Sequence, residues 1–232
     1  MIPKVIHYCW FGRNPKPDSV LKFIQTWRDK MPDYEIKEWN EDNFDVDKLS
    51  FTKEAYALKK YAFVSDVARI YALYKEGGIY FDTDVEVRKN LTPLLVNKSF
   101  IGWEDILPGT AVLASEKKVE WLKDILGFYK DRHFINWYGK LRTIPNPYIL
   151  SSVLKKYGLK LNHKKDVLKD NIAIYPIEFL CAHDMSKRKY IITENTYCIH
   201  HFDASWCNKT KLSKLGLFIM CLKNLAIKIR LR

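Results

Sequence analysis

The first forty residues hold two strand-like segments on either side of an amphipathic helical segment, and this order constrains the fold most. Residues 4–11 are rich in β-branched and aromatic side chains and end at Gly12. Residues 18–31 carry apolar side chains at helical spacing and stop before Pro32, and residues 34–39 alternate at period two. Strand, helix and strand in this order predict a βαβ unit, and therefore an α/β fold whose parallel sheet is covered by helices.

The remaining segments extend this pattern. The spacing predicts one helix over 52–76, with Thr52 as its N-cap and Gly77-Gly78 closing it, followed by a short buried strand at 79–81. Further strands are predicted at 99–103, 110–114, 172–175 and 196–202, and further helices at 117–130 and 148–157.

The composition is that of a globular protein, with 47% hydrophobic residues in a chain of 232. With no repeat and no linker-like stretch, we expect one domain over residues 1–208. The five cysteines lack metal-ligand spacing, which indicates reduced thiols in the cytoplasm. The N-terminal residues do not read as a secretory signal, and no apolar run is long enough to cross a bilayer.

Two aspartates, Asp82 and Asp84, directly follow the predicted strand at 79–81. Ligands of open α/β sheets gather at the carboxyl ends of strands. Two carboxylates this close repel each other unless a cation joins them, and Mg²⁺ or Mn²⁺ binds carboxylates together with substrate phosphates. The tripeptide alone fits a solvated acidic turn equally well.

Other polar and aromatic residues precede this pair. Asp66 and Arg69 are three residues apart and share one face of a largely apolar helix. They are either a surface ion pair or a buried pair whose remaining hydrogen bonds go to a sugar and a phosphate. Trp10 and Tyr80 lie near strand ends, where an aromatic ring is either part of the core or a platform for a base or sugar.

A third group spans His200 to Trp206. Adjacent histidines in a strand point to opposite faces, so only one of His200 and His201 can face a site, and the sequence leaves open which one. A neutral imidazole can complete a carboxylate-rich metal shell. Ser205 and Trp206 make this cluster unusually polar and aromatic for a core.

Together these segments resemble the Asp-x-Asp glycosyltransferases of family 32, which include bacterial capsule and lipopolysaccharide enzymes and are related to the catalytic domains of clostridial glucosylating toxins. Three stretches carry the likeness. They are residues 2–12, the ordered series Ser65-Asp66, Arg69, Gly77-Gly78, Tyr80 and Asp82-Thr83-Asp84, and His200-His201 with Ser205-Trp206.

The resemblance implies a GT-A-type nucleotide-binding fold with a mostly parallel central sheet flanked by helices. It implies that Trp10 stacks on the nucleobase, that Asp66 and Arg69 hold the donor sugar, and that Tyr80 lines the donor pocket. Asp82 would reach the ribose and the metal, and Asp84 would bind Mn²⁺ or Mg²⁺ directly. The segment from His200 to Trp206, which includes Ser205, would close over the diphosphate, and His200, His201 or Ser205 would complete the metal shell.

The resemblance also implies transfer of a hexose from a nucleotide sugar, foremost a UDP-sugar, with retention of the anomeric configuration. Asp66, Arg69, Asp82 and Asp84 would form the catalytic set. The acceptor would be a saccharide or lipid-linked saccharide in surface polysaccharide or lipooligosaccharide synthesis. Residues 144–147 read Ile-Pro-Asn-Pro where the family pattern suggests a Gly-Pro type pair, and this region would shape the acceptor side.

The net charge of +12 indicates an anionic partner, and much of it lies in one segment. Residues 209–232 contain seven lysines and arginines among apolar residues and no acidic residue. Such a segment is typical of an amphipathic helix on an anionic membrane surface, or of a helix packed on the domain with solvated lysines. We expect peripheral association with the cytoplasmic face of a membrane, and no nucleic-acid partner.

Two other classes remain open at this point. Paired aspartates and a basic surface also suit a metal-dependent nuclease or nucleotidyltransferase, although such an enzyme does not need Trp10, Arg69 or the 200–206 cluster. A non-catalytic membrane-binding module is the second alternative.

Overall fold

The computed structural model describes residues 1–184, 187 and 189–203 of the chain. Met1–Phe202 form one compact unit, and a second unit begins at Asp203. The predicted tail at 209–232 lies outside the described residues, so the division into 1–208 and 209–232 stays a prediction. Among the described residues, none of the helices combines the length and the apolar composition needed to cross a bilayer.

A seven-stranded sheet organises the compact unit. Its strands are β1 (Val5–Cys9), β2 (Glu35–Trp39), β3 (Gly78–Phe81), β5 (Ser99–Glu104), β6 (Leu107–Ser115), β7 (Asp166–Leu168) and β8 (Ile172–Tyr175). They lie in the order β2-β1-β3-β6-β5-β8-β7. Five of them run in one direction, while β6 and β7 run antiparallel to their neighbours. Two small sheets pair β4 (Val85–Val87) with β11 (Cys198–His200), and β9 (His183–Asp184) with β10 (Lys189–Tyr190).

Helices cover both faces of this sheet. They are α1 (Asp18–Lys30), α2 (Ser50–Ala57), α3 (Tyr61–Glu76), α4 (Glu120–Lys130), α5 (Asn146–Leu154) and α6 (Ile177–Leu180). Short 3₁₀ turns occur at Thr92–Leu94, Lys155–Tyr157 and Lys169–Asn171. The prediction of an α/β fold with a mostly parallel central sheet flanked by helices is confirmed.

The core forms two layers, one on each face of the sheet, because successive side chains of a strand point to opposite faces. On β3, Tyr80 lies in the layer shared with α3, α4 and α5, whereas Ile79 and Phe81 lie in the layer shared with α1. Both faces of the central strands are therefore buried, and only their ends are open to a ligand.

The predicted βαβ opening is present, since β1 pairs in parallel with β2 and also with β3. His7, fully buried on β1, fixes this arrangement. Its Nε2 donates to the carbonyl of Gly77 at 2.7 Å, and its Nδ1 accepts from the Trp39 indole at 3.0 Å. Burial lowers the pKa of His7, and the neutral ring satisfies both bonds.

The single helix predicted over 52–76 is wrong, because the chain forms α2 and α3 with a break between them. Lys59 adopts a left-handed conformation, with φ of 56°, and the amide of Lys60 bonds back to the carbonyl of Ala55. This closure ends α2. Helix α2 also begins before Thr52, whose hydroxyl donates to the carbonyl of Leu49 instead of capping the helix.

Candidate active site

The site begins where β3 ends and the chain turns sharply. The amide of Asp82 donates to the carbonyl of Ala111 on β6, and the amide of Val85 donates to the carbonyl of Asp82 at 3.1 Å. This tight turn breaks the alternation of the strand, so Asp82 and Asp84 come to the same end of the sheet.

Arg69 of α3 links Asp66, on the same helix, to Asp82 at the end of β3. One guanidinium nitrogen lies 3.1 Å from the Asp66 carboxylate, and another lies 3.0 Å from Asp82. The second nitrogen also donates to the carbonyl of Thr110 at 2.8 Å. The hydroxyl of Tyr80 donates to the other Asp82 oxygen at 2.9 Å, and its ring lies against the guanidinium. Arg69 is only 5% exposed, so these contacts form a buried network.

Burial dominates the titration of both carboxylates. It raises the pKa of Asp66 to about 6, although Arg69 opposes the rise. It also raises the pKa of Asp82, again against Arg69 and with a further upward contribution from Asp84. Burial and the repulsion between Asp82 and Asp84 both disfavour the ionised carboxylates, and a cation bound near these two aspartates would offset both effects.

A histidine reaches these aspartates through the pairing of β4 with β11. The strand β4 follows the Asp82–Asp84 turn directly, and His200 of β11 pairs with Val85 of β4. The Nε2 atom of His200 lies 3.3 Å from the Asp84 carboxylate. One ligand atom from each of Asp82, Asp84 and His200 can be chosen so that all lie within 4.8 Å of one another.

This donor set fits a divalent cation. Two carboxylates and one imidazole suit Mn²⁺ well and also allow Mg²⁺, with substrate oxygens filling the remaining positions. Within the described part of the chain, these three residues form the group of acidic, histidine or cysteine side chains whose ligand atoms lie close enough together to share one metal ion. Sequence reasoning named all three.

His201 does not join the aspartates. Its Nε2 donates to Glu86 at 3.0 Å, its Nδ1 bonds the Tyr190 hydroxyl, and its ring stacks on Phe23. The structure thus brings His200 rather than His201 to the candidate metal site. Ser205 and Trp206 lie outside the described residues.

Glu104 is a site residue that the sequence analysis missed. Its carboxylate lies 3.6 Å from Nδ1 of His200, on the side of the ring away from Asp84. Burial alone would lower the pKa of His200, but Glu104 and Asp84 raise it well above its usual range. Gly109 leaves room for this carboxylate, since a Cβ there would lie 2.2 Å from it. A glutamate at the exit of β5, next to an expected strand end, was the available signal.

Trp10 follows β1 at the same end of the sheet as Asp82, because β1 and β3 are parallel neighbours. The indole nitrogen donates to the carbonyl of Asn14 at 2.7 Å, and the ring is half-buried. Trp10 therefore keeps part of its surface available, as the prediction of a base-stacking role requires. Four of the predicted donor-site residues, Asp66, Arg69, Tyr80 and Asp82, form one network around the guanidinium.

Residues 17–101 match the family described as "Glycosyltransferase sugar-binding region containing DXD motif". Over this stretch the chain is similar to the sugar-binding region of these glycosyltransferases. Its DXD motif is Asp82-Thr83-Asp84, and the matched stretch also contains Asp66, Arg69 and Tyr80. The predicted resemblance to the DXD glycosyltransferases is confirmed.

Two relatives from Schizosaccharomyces pombe (strain 972 / ATCC 24843) resemble part of this chain. Inositol phosphoceramide mannosyltransferase 3 is 34% identical over 100 residues, which are 40% of this chain and 27% of the relative. Inositol phosphoceramide mannosyltransferase 1 is 31% identical over 111 residues, 43% of this chain and 33% of the relative. The chain thus spans about a third or less of each relative.

A solved structure titled "PaToxG Glycosyltransferase" shares the fold. It superposes with a TM-score of 0.51 at 20% sequence identity, covering 67% of this chain and 69% of that one. At this identity the likeness concerns the fold, and it confirms the predicted GT-A-type architecture.

Proposed function

We propose that the chain is a metal-dependent glycosyltransferase that moves a hexose from a nucleotide sugar, foremost a UDP-sugar, to a saccharide acceptor with retention. The observation that carries the proposal is the convergence of Asp82, Asp84 and His200 at the end of β3, beside the carboxylate pair that Arg69 holds. The sugar-binding region and the mannosyltransferase relatives support the transfer of a hexose.

Asp82, Asp84 and His200 would hold Mn²⁺ or Mg²⁺. Such an ion supplies Lewis-acid stabilisation of the negative charge that develops on a departing diphosphate. The two aspartates differ in their surroundings. Asp82 accepts hydrogen bonds from Arg69 and Tyr80 on its two oxygens, which fixes its orientation, whereas Asp84 contacts His200. This difference fits Asp84 as the direct ligand and Asp82 as a bridge between the metal and the ribose.

The network around Arg69 prepares the site before a donor arrives. Because the guanidinium is buried and already bonded to Asp66 and Asp82, it acts on the donor through the carboxylates that it orients. Groups held in place in this way need no reorganisation during the reaction. Asp66 would bind hydroxyls of the donor sugar, Tyr80 would line the pocket, and Trp10 would stack on the base. Ser205 and Trp206 would close over the diphosphate.

The acceptor side and the location in the cell belong to the same proposal. By their names, the mannosyltransferase relatives act on a ceramide lipid, which agrees with a lipid-linked saccharide as the acceptor. The basic segment 209–232 would hold the enzyme at the cytoplasmic face of an anionic membrane. Deleting the residues after Lys211 should then weaken binding to anionic vesicles and leave donor hydrolysis unchanged. Undiminished vesicle binding would exclude the anchor.

Slow hydrolysis of the donor in the absence of an acceptor provides the direct test. Nucleotide sugars carrying glucose, galactose or mannose are incubated with the protein with and without Mn²⁺, and the released nucleotide is measured. One donor should be hydrolysed in a metal-dependent way. Asp84→Ala should lower this rate at least about a thousandfold, as expected from loss of several kcal/mol of charge stabilisation. The exposed Asp47→Ala is the matched control and should leave the rate unchanged.

An Asp84→Ala variant that remains folded by circular dichroism and hydrolyses the donor at the unchanged rate would refute the metal assignment. Cleavage or extension of plain oligonucleotides with Mg²⁺, without any hydrolysis of nucleotide sugars, would favour a nuclease or nucleotidyltransferase. With an acceptor in hand, the anomeric configuration of the product, read by nuclear magnetic resonance, decides retention.

A further inference from the structure

Residues 132–144, here called the aromatic hairpin, form a turn in the connection between α4 and α5. Ile135 and Leu141 pair across its two arms. At the tip, the amide of Asn136 donates to the carbonyl of Lys140 at 2.9 Å, and its side-chain oxygen accepts from the same residue's amide at 2.8 Å. Gly139 supplies the left-handed residue of the turn, with φ of 79°. The tip therefore has a defined shape.

The base of the aromatic hairpin is fixed to the domain. The amide of Ile135 donates to the Glu54 carboxylate of α2 at 2.8 Å. Phe134 is fully buried and packs against Phe51 and Phe63, and its carbonyl accepts from the amide of Arg142 at 2.7 Å. A fixed base below an exposed tip suits a segment that presents its side chains to a binding partner.

The exposed side chains of the aromatic hairpin are mainly large and apolar. Trp137 is 91% exposed, and Tyr138, Leu141 and Ile144 are exposed as well. The rings of Trp137 and Tyr138 contact each other edge to face. Scattered apolar side chains are normal on a protein surface, but four large ones within eight residues mark a binding surface. Tryptophan and tyrosine are the residues that favour the interface between water and lipid.

The charge of the same segment is of one sign. Residues 132–145 contain Arg132, Lys140 and Arg142 and no acidic residue. None of these three cations is in an ion pair with another described residue of the chain. Partial burial and the positive charge of Arg142 both lower the pKa of Arg132. An anion that approaches this segment would be attracted by all three cations.

The aromatic hairpin also leads directly to the candidate active site. It continues into α5, and the first residue of that helix, Asn146, donates to the backbone carbonyl of Asp66 at 3.2 Å. The same side chain accepts from the Tyr129 hydroxyl. Asn146 therefore links the end of the aromatic hairpin to Asp66, one of the two carboxylates that Arg69 contacts.

We propose that the aromatic hairpin docks on the surface of an anionic phospholipid bilayer, with its apolar side chains at the level of the headgroups and its three cations on lipid phosphates. A soluble saccharide would use an aromatic face and hydrogen-bonding groups, and it needs neither two exposed aliphatic side chains nor three cations. The aromatic hairpin would present the Asp66 side of the site to a membrane-held acceptor. This last step rests on the proposed function, whereas the lipid contact does not.

The first test uses the full-length protein and vesicles that contain phosphatidylglycerol, with or without lipids brominated on their acyl chains. Brominated lipid quenches tryptophans at the membrane, so the wild-type emission should fall on binding. In Trp137→Phe the quenched part of the emission should be smaller, while vesicle binding persists. Equal quenching in both proteins would overturn the proposal, because it would show that Trp137 stays in water. The comparison holds whether or not residues 209–232 also bind.

The second test separates this surface from general electrostatic attraction. Lys140→Gln with Arg142→Gln should weaken partitioning onto anionic vesicles about tenfold or more. The matched control, Lys22→Gln with Lys160→Gln, changes the net charge equally at exposed lysines outside the hairpin and should have a small effect. Equal losses in the two double variants would overturn the proposal. A response of Trp137 to soluble oligosaccharides but not to vesicles would also overturn it and assign the hairpin to the acceptor.

Donor hydrolysis in vesicle-free solution is measured in parallel and should be the same in all of these variants. Absence of hairpin docking with intact hydrolysis would contradict the lipid contact but not the proposed function. Absence of hydrolysis with intact docking would contradict the proposed function but not the lipid contact.

Discussion

Replacing Arg69 with methionine tests the buried network most directly, because it removes the charge and keeps an unbranched side chain of similar length. Arg69 contacts two carboxylates, at 3.1 and 3.0 Å, and the carbonyl of Thr110 at 2.8 Å. Removing one partner of a buried ion pair costs about 3–5 kcal/mol, since the other charge remains buried and unpaired. For a chain of this size, that loss lowers the melting temperature by roughly 6–20 °C.

The pH dependence distinguishes this cause from simple loss of packing. Burial already raises the pKa of Asp66 to about 6 with Arg69 present, and without the guanidinium the pKa should rise further. A carboxyl whose pKa is higher in the folded state than in the unfolded state favours folding as the pH falls. The difference in unfolding free energy between wild type and Arg69→Met should therefore be large at pH 7 and smaller at pH 5.

The assay is denaturant unfolding followed by circular dichroism at both pH values, with a chelator present so that no divalent cation compensates the carboxylates. Lys156→Met is the control, because it breaks the exposed pair with Asp124, and exposed pairs contribute less than about 1 kcal/mol. If Arg69→Met destabilises no more than this control, or equally at the two pH values, the network is not held by its charges.

Three further predictions concern the metal site and the strand that leads to it. Glu104→Gln should weaken Mn²⁺ binding about 10–100-fold in calorimetry, because the carboxylate that faces the second nitrogen of His200 orients the ring. His200→Ala should reduce Mn²⁺ affinity at least as much, whereas His201→Ala should leave it within about twofold; the reverse order would exclude His200 as a ligand. Gly78→Ala should destabilise the fold by about 2 kcal/mol or more. The glycine has φ of 110°, and an added methyl would lie 2.5 Å from the carbonyl oxygen of Val5. An unchanged denaturation midpoint would refute this prediction.

The elements with a strong periodic pattern were predictable to within one or two residues. The first strand, α1 and β2 follow directly from alternation, helical spacing and Pro32. The break between α2 and α3 was not predictable, because its left-handed residue is Lys59, a type that gives no turn signal. The strand β4 has only three residues and follows the Asp82–Asp84 turn at once, so its alternation is too short to detect.

The residue types of the site were predictable, but their geometry was not. Asp66, Arg69 and the two aspartates lie within one short stretch, and helix and strand spacing place them together. The choice between His200 and His201 depends on the register of β11 against β4, which pairs His200 with Val85. Long-range pairing of this kind has no local signature. Glu104 stands next to a predicted strand end, but its approach to the imidazole of His200 also depends on long-range contacts, so the sequence analysis did not select it.

The pairing of β4 with β11 has a consequence for the protein during its own synthesis. The aspartates leave the ribosome before the histidine that faces them, because His200 lies more than a hundred residues further along the chain. A nascent chain therefore holds two repelling carboxylates without their nitrogen ligand until β11 is made. The candidate metal site would thus be completed only when β11 pairs with β4.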